Sequence, residues 1–120
     1  SQAASLSLVK DCLLQVRISA EETKQGITPE ELDSVAKEIK YLKNIRVCGL
    51  MGMASNSQDE KLVSSEFALL KSLFDHLKET FFKEDDRFCE ISAGMSSDWR
   101  LAVLNGSTII RVGSLIFGER

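Results

Sequence analysis

The sequence predicts an α/β protein in which four parallel strands are joined by helical crossovers that lie outside the sheet. Three observations carry this. Short aliphatic segments recur four times, each too brief for an ordinary helix. Between them run stretches with apolar residues at helical spacing, long enough to carry the chain back over a sheet. The 120 residues, 43% hydrophobic and 28% charged, suit one small globular domain and exclude a disordered or collagen-like chain.

The first strand is expected over Cys12-Leu13-Leu14-Gln15-Val16-Arg17-Ile18, followed by a polar loop in which Gly26 permits a turn. Thr28-Pro29-Glu30-Glu31 is a helix start: Thr28 can cap, Pro29 fits the first turn and Glu31 completes a capping box. Leu32, Val35, Ala36, Ile39 and Leu42 share one face of that helix, and Asn44 can close it. A second strand covers Ile45 to Met51. After a small, polar loop, Val63, Phe67, Leu70, Phe74, Leu77 and Phe81 mark the buried stripe of a long helix ending near Thr80. His76 lies off that stripe and reads as a solvated surface residue. A third strand is expected near Phe88 to Ser92, then a short helix from Asp98 to Leu104 capped by Ser97 and stopped by Asn105-Gly106. The last strand is Thr108 to Val112, and Gly113 to Gly118 reads as a turn or short helix.

Composition narrows function by exclusion. Fifteen Lys and Arg against eighteen Asp and Glu give a net charge of −3, which argues against a nucleic-acid footprint. No apolar run reaches the ~18 residues of a membrane span, and no signal-peptide pattern opens the sequence. Cys12, Cys48 and Cys89 are odd in number, far apart and set beside apolar residues. They read as reduced core thiols of a cytoplasmic protein, neither a disulfide frame nor a metal site. A flavodoxin-like nucleotide binder is disfavoured because no glycine-rich loop follows the first strand.

Chemistry concentrates in the last quarter. Ser96, Ser97 and Asp98 stand where the third strand runs into a helix, where backbone N–H groups and hydroxyls favour an anion. Arg111 lies inside an otherwise aliphatic strand with Gly113 and Ser114 just beyond it. A guanidinium in such surroundings needs an anionic or acceptor partner. That partner is either a ligand or an Asp or Glu of a neighbouring loop, and residue types alone leave both open.

Ile91-Ser92-Ala93-Gly94-Met95-Ser96-Ser97-Asp98, followed by Asn105 through Arg120 with its core Ile109-Ile110-Arg111-Val112-Gly113-Ser114-Leu115-Ile116-Phe117-Gly118, closely resembles the closing signature of the pyridoxal-phosphate homeostasis protein family (the YggS/PROSC group). Leu13 to Ser19 with Glu22 to Gly26 is similar to that family's fifth strand and the loop after it, and Val47 to Met53 to its sixth. The resemblance covers nearly the whole chain in order. It implies a parallel (β/α) half-barrel, the C-terminal half (strands five to eight) of a TIM barrel of the alanine racemase N-terminal-domain type, over residues 1–120. It also implies pyridoxal 5'-phosphate (PLP) as cofactor. Arg111 would face the pyridine nitrogen and keep it unprotonated, weakening the ring as an electron sink. Ser96, Gly113 and Ser114 would hold the phosphate, and Met95 would line the pocket.

Two departures bound the carry-over. Ala93 stands where the family commonly has methionine. The family's first-strand motif of the type V-A-V-S-K-T, whose lysine forms the Schiff base, has no counterpart, and Lys10 and Lys24 read as solvated. The expectation is therefore a fragment of a PLP-binding protein of vitamin B6 homeostasis. It would keep phosphate and pyridine contacts without a covalent anchor, and would have no catalytic residue, no metal and no enzymatic role. The alternative is a structural fragment or interaction module that binds no cofactor and docks onto a missing half-barrel. In either case Leu14, Val16, Leu50, Ile110 and Val112 are expected to face the barrel interior, exposed in a monomer, so that two copies would pair through them and the open strand edges.

Overall fold

In the computed structural model, residues 10–20, 26–42, 44–95, 97–112 and 115–118 are described. Five strands form one sheet in the order β1 (Lys10–Gln15), β2 (Ile45–Met51), β3 (Glu90–Ser92), β4 (Ile109–Val112) and β5 (Leu115–Gly118). The first four run parallel. Helices α1 (Pro29–Ile39), α2 (Glu60–Thr80) and α3 (Trp99–Leu104) fill the three crossovers. Because strand order equals chain order, every right-handed crossover returns on the same side of the sheet, so the helices share one face. A doubly wound sheet would reverse direction and cover both faces.

Local chemistry accounts for the helix ends. Thr28 Oγ1 accepts from the Glu31 N–H at 3.3 Å while Glu31 Oε1 accepts from the Thr28 N–H at 3.3 Å, which is the capping box anticipated from sequence. At α2, Asp59 Oδ1 accepts from the N–H groups of Lys61 and Leu62. The core lies between this helical layer and the sheet. Leu14, Val16, Val47, Leu50 and Ile91 from the strands meet Leu32, Ala36, Val63, Phe67, Leu70 and Leu77 from the helices, all buried. Phe88, fully buried, stacks between Phe74 at 4.8 Å and Phe82 at 4.3 Å, joining the end of α2 to the approach to β3.

Several expectations are corrected. Leu14, Val16 and Leu50 do not face an empty barrel interior; they are 6%, 1% and 0% exposed beneath the helices and supply no surface for pairing. Ile110 is half-buried, and the Val112 side chain lies outside what is described. The segment expected to be a turn or short helix contains β5, antiparallel to β4, with Ile109 opposite Gly118 and Val112 opposite Leu115. A strand therefore covers the far side of β4. The first strand begins two residues early and ends at Gln15, after which Val16 bridges to Ile27. Helix α1 stops at Ile39 with Lys40 as C-cap, five residues before Asn44. Asp98, not Ser97, occupies the N-cap of α3. Cys89 is exposed and Cys12 and Cys48 are half-buried, so the free thiols sit at the margin of the core. His76 is exposed as expected, with Nε2 2.9 Å from Asp33 Oδ1 across α1 and α2. Among the described residues no helix is long and apolar enough to cross a membrane.

Candidate functional site

In a parallel α/β sheet the loops after the strands gather at one rim, and ligands bind there. The backbone ladder continues into this rim: the Val16 N–H donates to Met51 O at 2.8 Å, Gly52 to Ser92 O at 3.1 Å and Ala93 to Ile109 O at 3.0 Å. The loop starts after β1, β2 and β3 are thereby aligned side by side, and the last of them meets the first residue of β4. Ser107 and Thr108 reinforce the join between the last two parallel strands. Ser107 Oγ lies 2.7 Å from Ala93 O and 2.8 Å from Ile109 O, and Thr108 Oγ1 accepts from the Ile91 N–H at 2.9 Å.

After β3 the chain turns sharply. Gly94 adopts φ +103°, and a Cβ there would lie 2.8 Å from Ala102 Cβ and 3.1 Å from Trp99 Cα, so only glycine lets the turn press against α3. The turn is closed by the Met95 N–H donating to Asp98 Oδ1 at 2.8 Å and the Asp98 N–H donating to Met95 O at 3.1 Å. Asp98 is thus engaged in shaping the loop that contains position 96. Met95 is 47% exposed at the rim. Arg111 is the third residue of β4, in register with Ile116 of β5. Ser96, Gly113 and Ser114 lie outside the described residues. The topology thus makes β3, whose following loop holds Met95, the neighbour of β4, which holds Arg111.

Sequence reasoning missed a carboxylate at this rim. Glu66 of α2 is only 5% exposed, yet both its oxygens are satisfied. Oε1 accepts from the Ser55 N–H at 2.6 Å; Oε2 accepts from the Ser55 hydroxyl at 2.7 Å and from the Ala20 N–H at 2.7 Å. With Ser55 donating to Glu66, the Ser19 hydroxyl donates to Ser55 Oγ at 2.9 Å. The signal was present: Glu66 lies three residues after Val63 and four before Leu70, a charged group on a buried stripe. Ser55 also lines a polar cavity of about 500 Å³ whose far wall is Ser97, Asp98 and Leu101.

The end of the sheet away from the rim is different in kind. Cys12, Cys48 and Cys89, one from each of three adjacent chain segments, line a cavity of about 450 Å³ with Asp11, Leu13, Glu90 and Ile109. Cys48 is the extra residue of a bulge, since Cys12 pairs with Val47 and Leu13 with Gly49. Partial loss of solvation, the largest influence on each, pushes all three thiols above their ordinary range. Among the described residues no cluster of His, Cys, Asp and Glu is arranged to hold a metal ion.

Comparison with known proteins identifies the scaffold. The family model described as "Alanine racemase, N-terminal domain" matches residues 1–120. The pyridoxal phosphate homeostasis proteins of Aquifex aeolicus and Schizosaccharomyces pombe are 35% and 38% identical over 95% and 100% of the chain. In each case the chain spans 49% of the relative, about half its length. Among solved structures, a protein of unknown function from Bifidobacterium adolescentis superposes with a TM-score of 0.86 at 34% identity, over 94% of this chain and 45% of that one. PipY from Synechococcus elongatus, solved with PLP bound, superposes at 0.77 and 29% identity, over 93% of this chain and 50% of its own.

Proposed function

Since this chain belongs to the alanine racemase N-terminal domain family, we propose that it is the C-terminal half of a PLP-binding (β/α) barrel that takes part in vitamin B6 homeostasis. The observation that carries this reading is the likeness, over nearly the full chain, to a structure solved with PLP bound. The rim supports it: the ends of parallel strands gather there, and the chain turns tightly at Gly94 just beyond β3.

The donor set fits the ligand. Hydroxyls of Ser96 and Ser114 and the backbone at Gly113 are suited to a phosphate, while the Arg111 guanidinium is a permanent donor for the pyridine nitrogen. Met95 offers an apolar, polarisable wall. PLP, when bound, supplies an aldehyde and an electron-withdrawing ring. An arginine at the nitrogen holds that ring unprotonated and restrains its electron-sink character, which suits carriage of the cofactor better than turnover. No lysine of this sequence lies in a motif matching the family's anchoring lysine, so capture by this chain is noncovalent.

Titration with PLP, followed by its absorbance and by borohydride reduction, tests the proposal. A saturable spectral change without reduction-stable labelling is expected, and Arg111→Ala should weaken it at least tenfold, as loss of a charged hydrogen bond does. No spectral change at millimolar PLP would instead favour an interaction module that binds no cofactor.

A further inference from the structure

We infer that Cys48 and Cys89 form a thiol–disulfide site, a reversible staple between β2 and the approach to β3 at the end of the sheet away from the rim. The two residues are neighbours across the seam. β2 and β3 pair in parallel from Gly49 opposite Glu90 onward, and one residue before that pair the Cys89 N–H donates to Cys48 O at 3.0 Å. Adjacent strands run about 4.8 Å apart, inside the roughly 4.4–6.8 Å between Cα atoms that a disulfide bridges. Both side chains line the same cavity, beside Leu13 and Glu90 of the open face.

The third cysteine is placed differently. Cys12 reaches the cavity but packs against the hydrophobic core, and its register partner is Val47. Cys48, the extra residue of the bulge, has no register partner on β1, which leaves it free to turn toward β3. Both thiols of the pair are free, and each makes one weak contact: Cys48 Sγ with Arg46 O and Cys89 Sγ with Glu90 Oε1, both at 3.8 Å. Little is given up when they meet.

A low-molecular-weight disulfide such as glutathione disulfide supplies the oxidant. Cys89, exposed, loses its proton and attacks one sulfur of the reagent; the S–S bond breaks and one glutathione leaves as thiolate and takes up a proton. Cys48 then loses its proton and attacks Cys89 Sγ, and the second glutathione leaves in the same way. Two protein thiols are oxidised by two electrons and one reagent disulfide becomes two thiols. Both cysteines titrate above their ordinary range, so thiolate is scarce at neutral pH and the first step is slow. The new bond closes a loop that contains all of α2 and so restricts the unfolded chain.

Incubation of wild type with glutathione disulfide, followed by digestion without reduction and mass spectrometry, tests the site. A peptide linking Cys48 to Cys89 within one molecule is expected, together with a thermal midpoint several degrees higher that dithiothreitol reverses. Cys12→Ser should keep the link and the shift. Cys48→Ser should leave Cys89 as a lasting glutathione adduct with no rise. The mapping uses wild type, so it reads the pairing whether or not the variants fold. A Cys12–Cys48 link, links between molecules, or persistent glutathione adducts in wild type would overturn the inference, as would a linked protein that melts no higher than the reduced one.

Discussion

The two faces of the sheet differ in composition and in what they do. On the covered face, Leu14, Val16, Val47, Leu50 and Ile91 pack against three helices and leave almost no surface to solvent. On the open face, Leu13, Gln15, Cys48, Met51 and Glu90 are all half-buried, apolar beside polar. A strand buried on one side must be apolar there, whereas its other side is free to carry thiols, amides and charge. Stability is thus concentrated on one side of the sheet. The other side and its rim are available for chemistry.

Paired truncations sharpen this contrast most. Leu50→Ala on the covered face removes a fully buried side chain and should cost about 2–5 kcal/mol of unfolding free energy in urea. Leu13→Ala, on the neighbouring strand's open face, should cost less than about 1 kcal/mol. Similar losses at both positions would mean that the open face is covered in solution, and the division between the faces would fail.

The next effect concerns how the cover is anchored. Thr28→Ala removes both the acceptor for the Glu31 N–H and the hydroxyl that donates to Glu31 Oε1 at 2.8 Å. The expected loss is about 1 kcal/mol, read as a lower denaturation midpoint with an unchanged slope. Thr28→Ser should restore most of it, because serine caps as well as threonine.

Much of the covered side was legible in the sequence. The 3.6-residue stripe of α2, that of α1 as far as Ile39, the capping box and the second strand stand where periodicity put them, because those signals depend on local spacing alone; Leu42, expected on the α1 stripe, lies beyond the helix and is exposed. Which side of β1 goes under the helices was harder to read. Leu13 and Leu14 are both aliphatic, and the alternation that settles the matter runs through Gln15 and Arg17, polar on the uncovered side, against Val16 and Ile18, both buried. β5 was missed because a four-residue apolar run has no period of its own; only pairing with β4 defines it. At the rim, the glycine turn after β3 was visible as residue types. The clasp at Glu66 needed three dimensions, since its partners Ala20 and Ser55 are 46 and 11 residues away.

The smallest effect belongs to the open face itself. Arg46 Nε donates to Asp11 Oδ1 at 2.7 Å, tying β1 to β2 at the end away from the rim. That hydrogen bond, with the guanidinium's charge, holds the Asp11 carboxyl below the usual carboxylate range. A carboxyl whose folded pKa is depressed binds fewer protons in the native state than in the unfolded chain. Its contribution is therefore present above the unfolded value and disappears as pH falls through the folded one. Asp11 is exposed, so solvent and salt screen the pair strongly. Asp11→Asn should leave the thermal midpoint nearly unchanged at neutral pH and slightly reduce its dependence on pH in the acid range. A drop of several degrees at neutral pH, insensitive to added salt, would show instead that this pair helps hold the open face together.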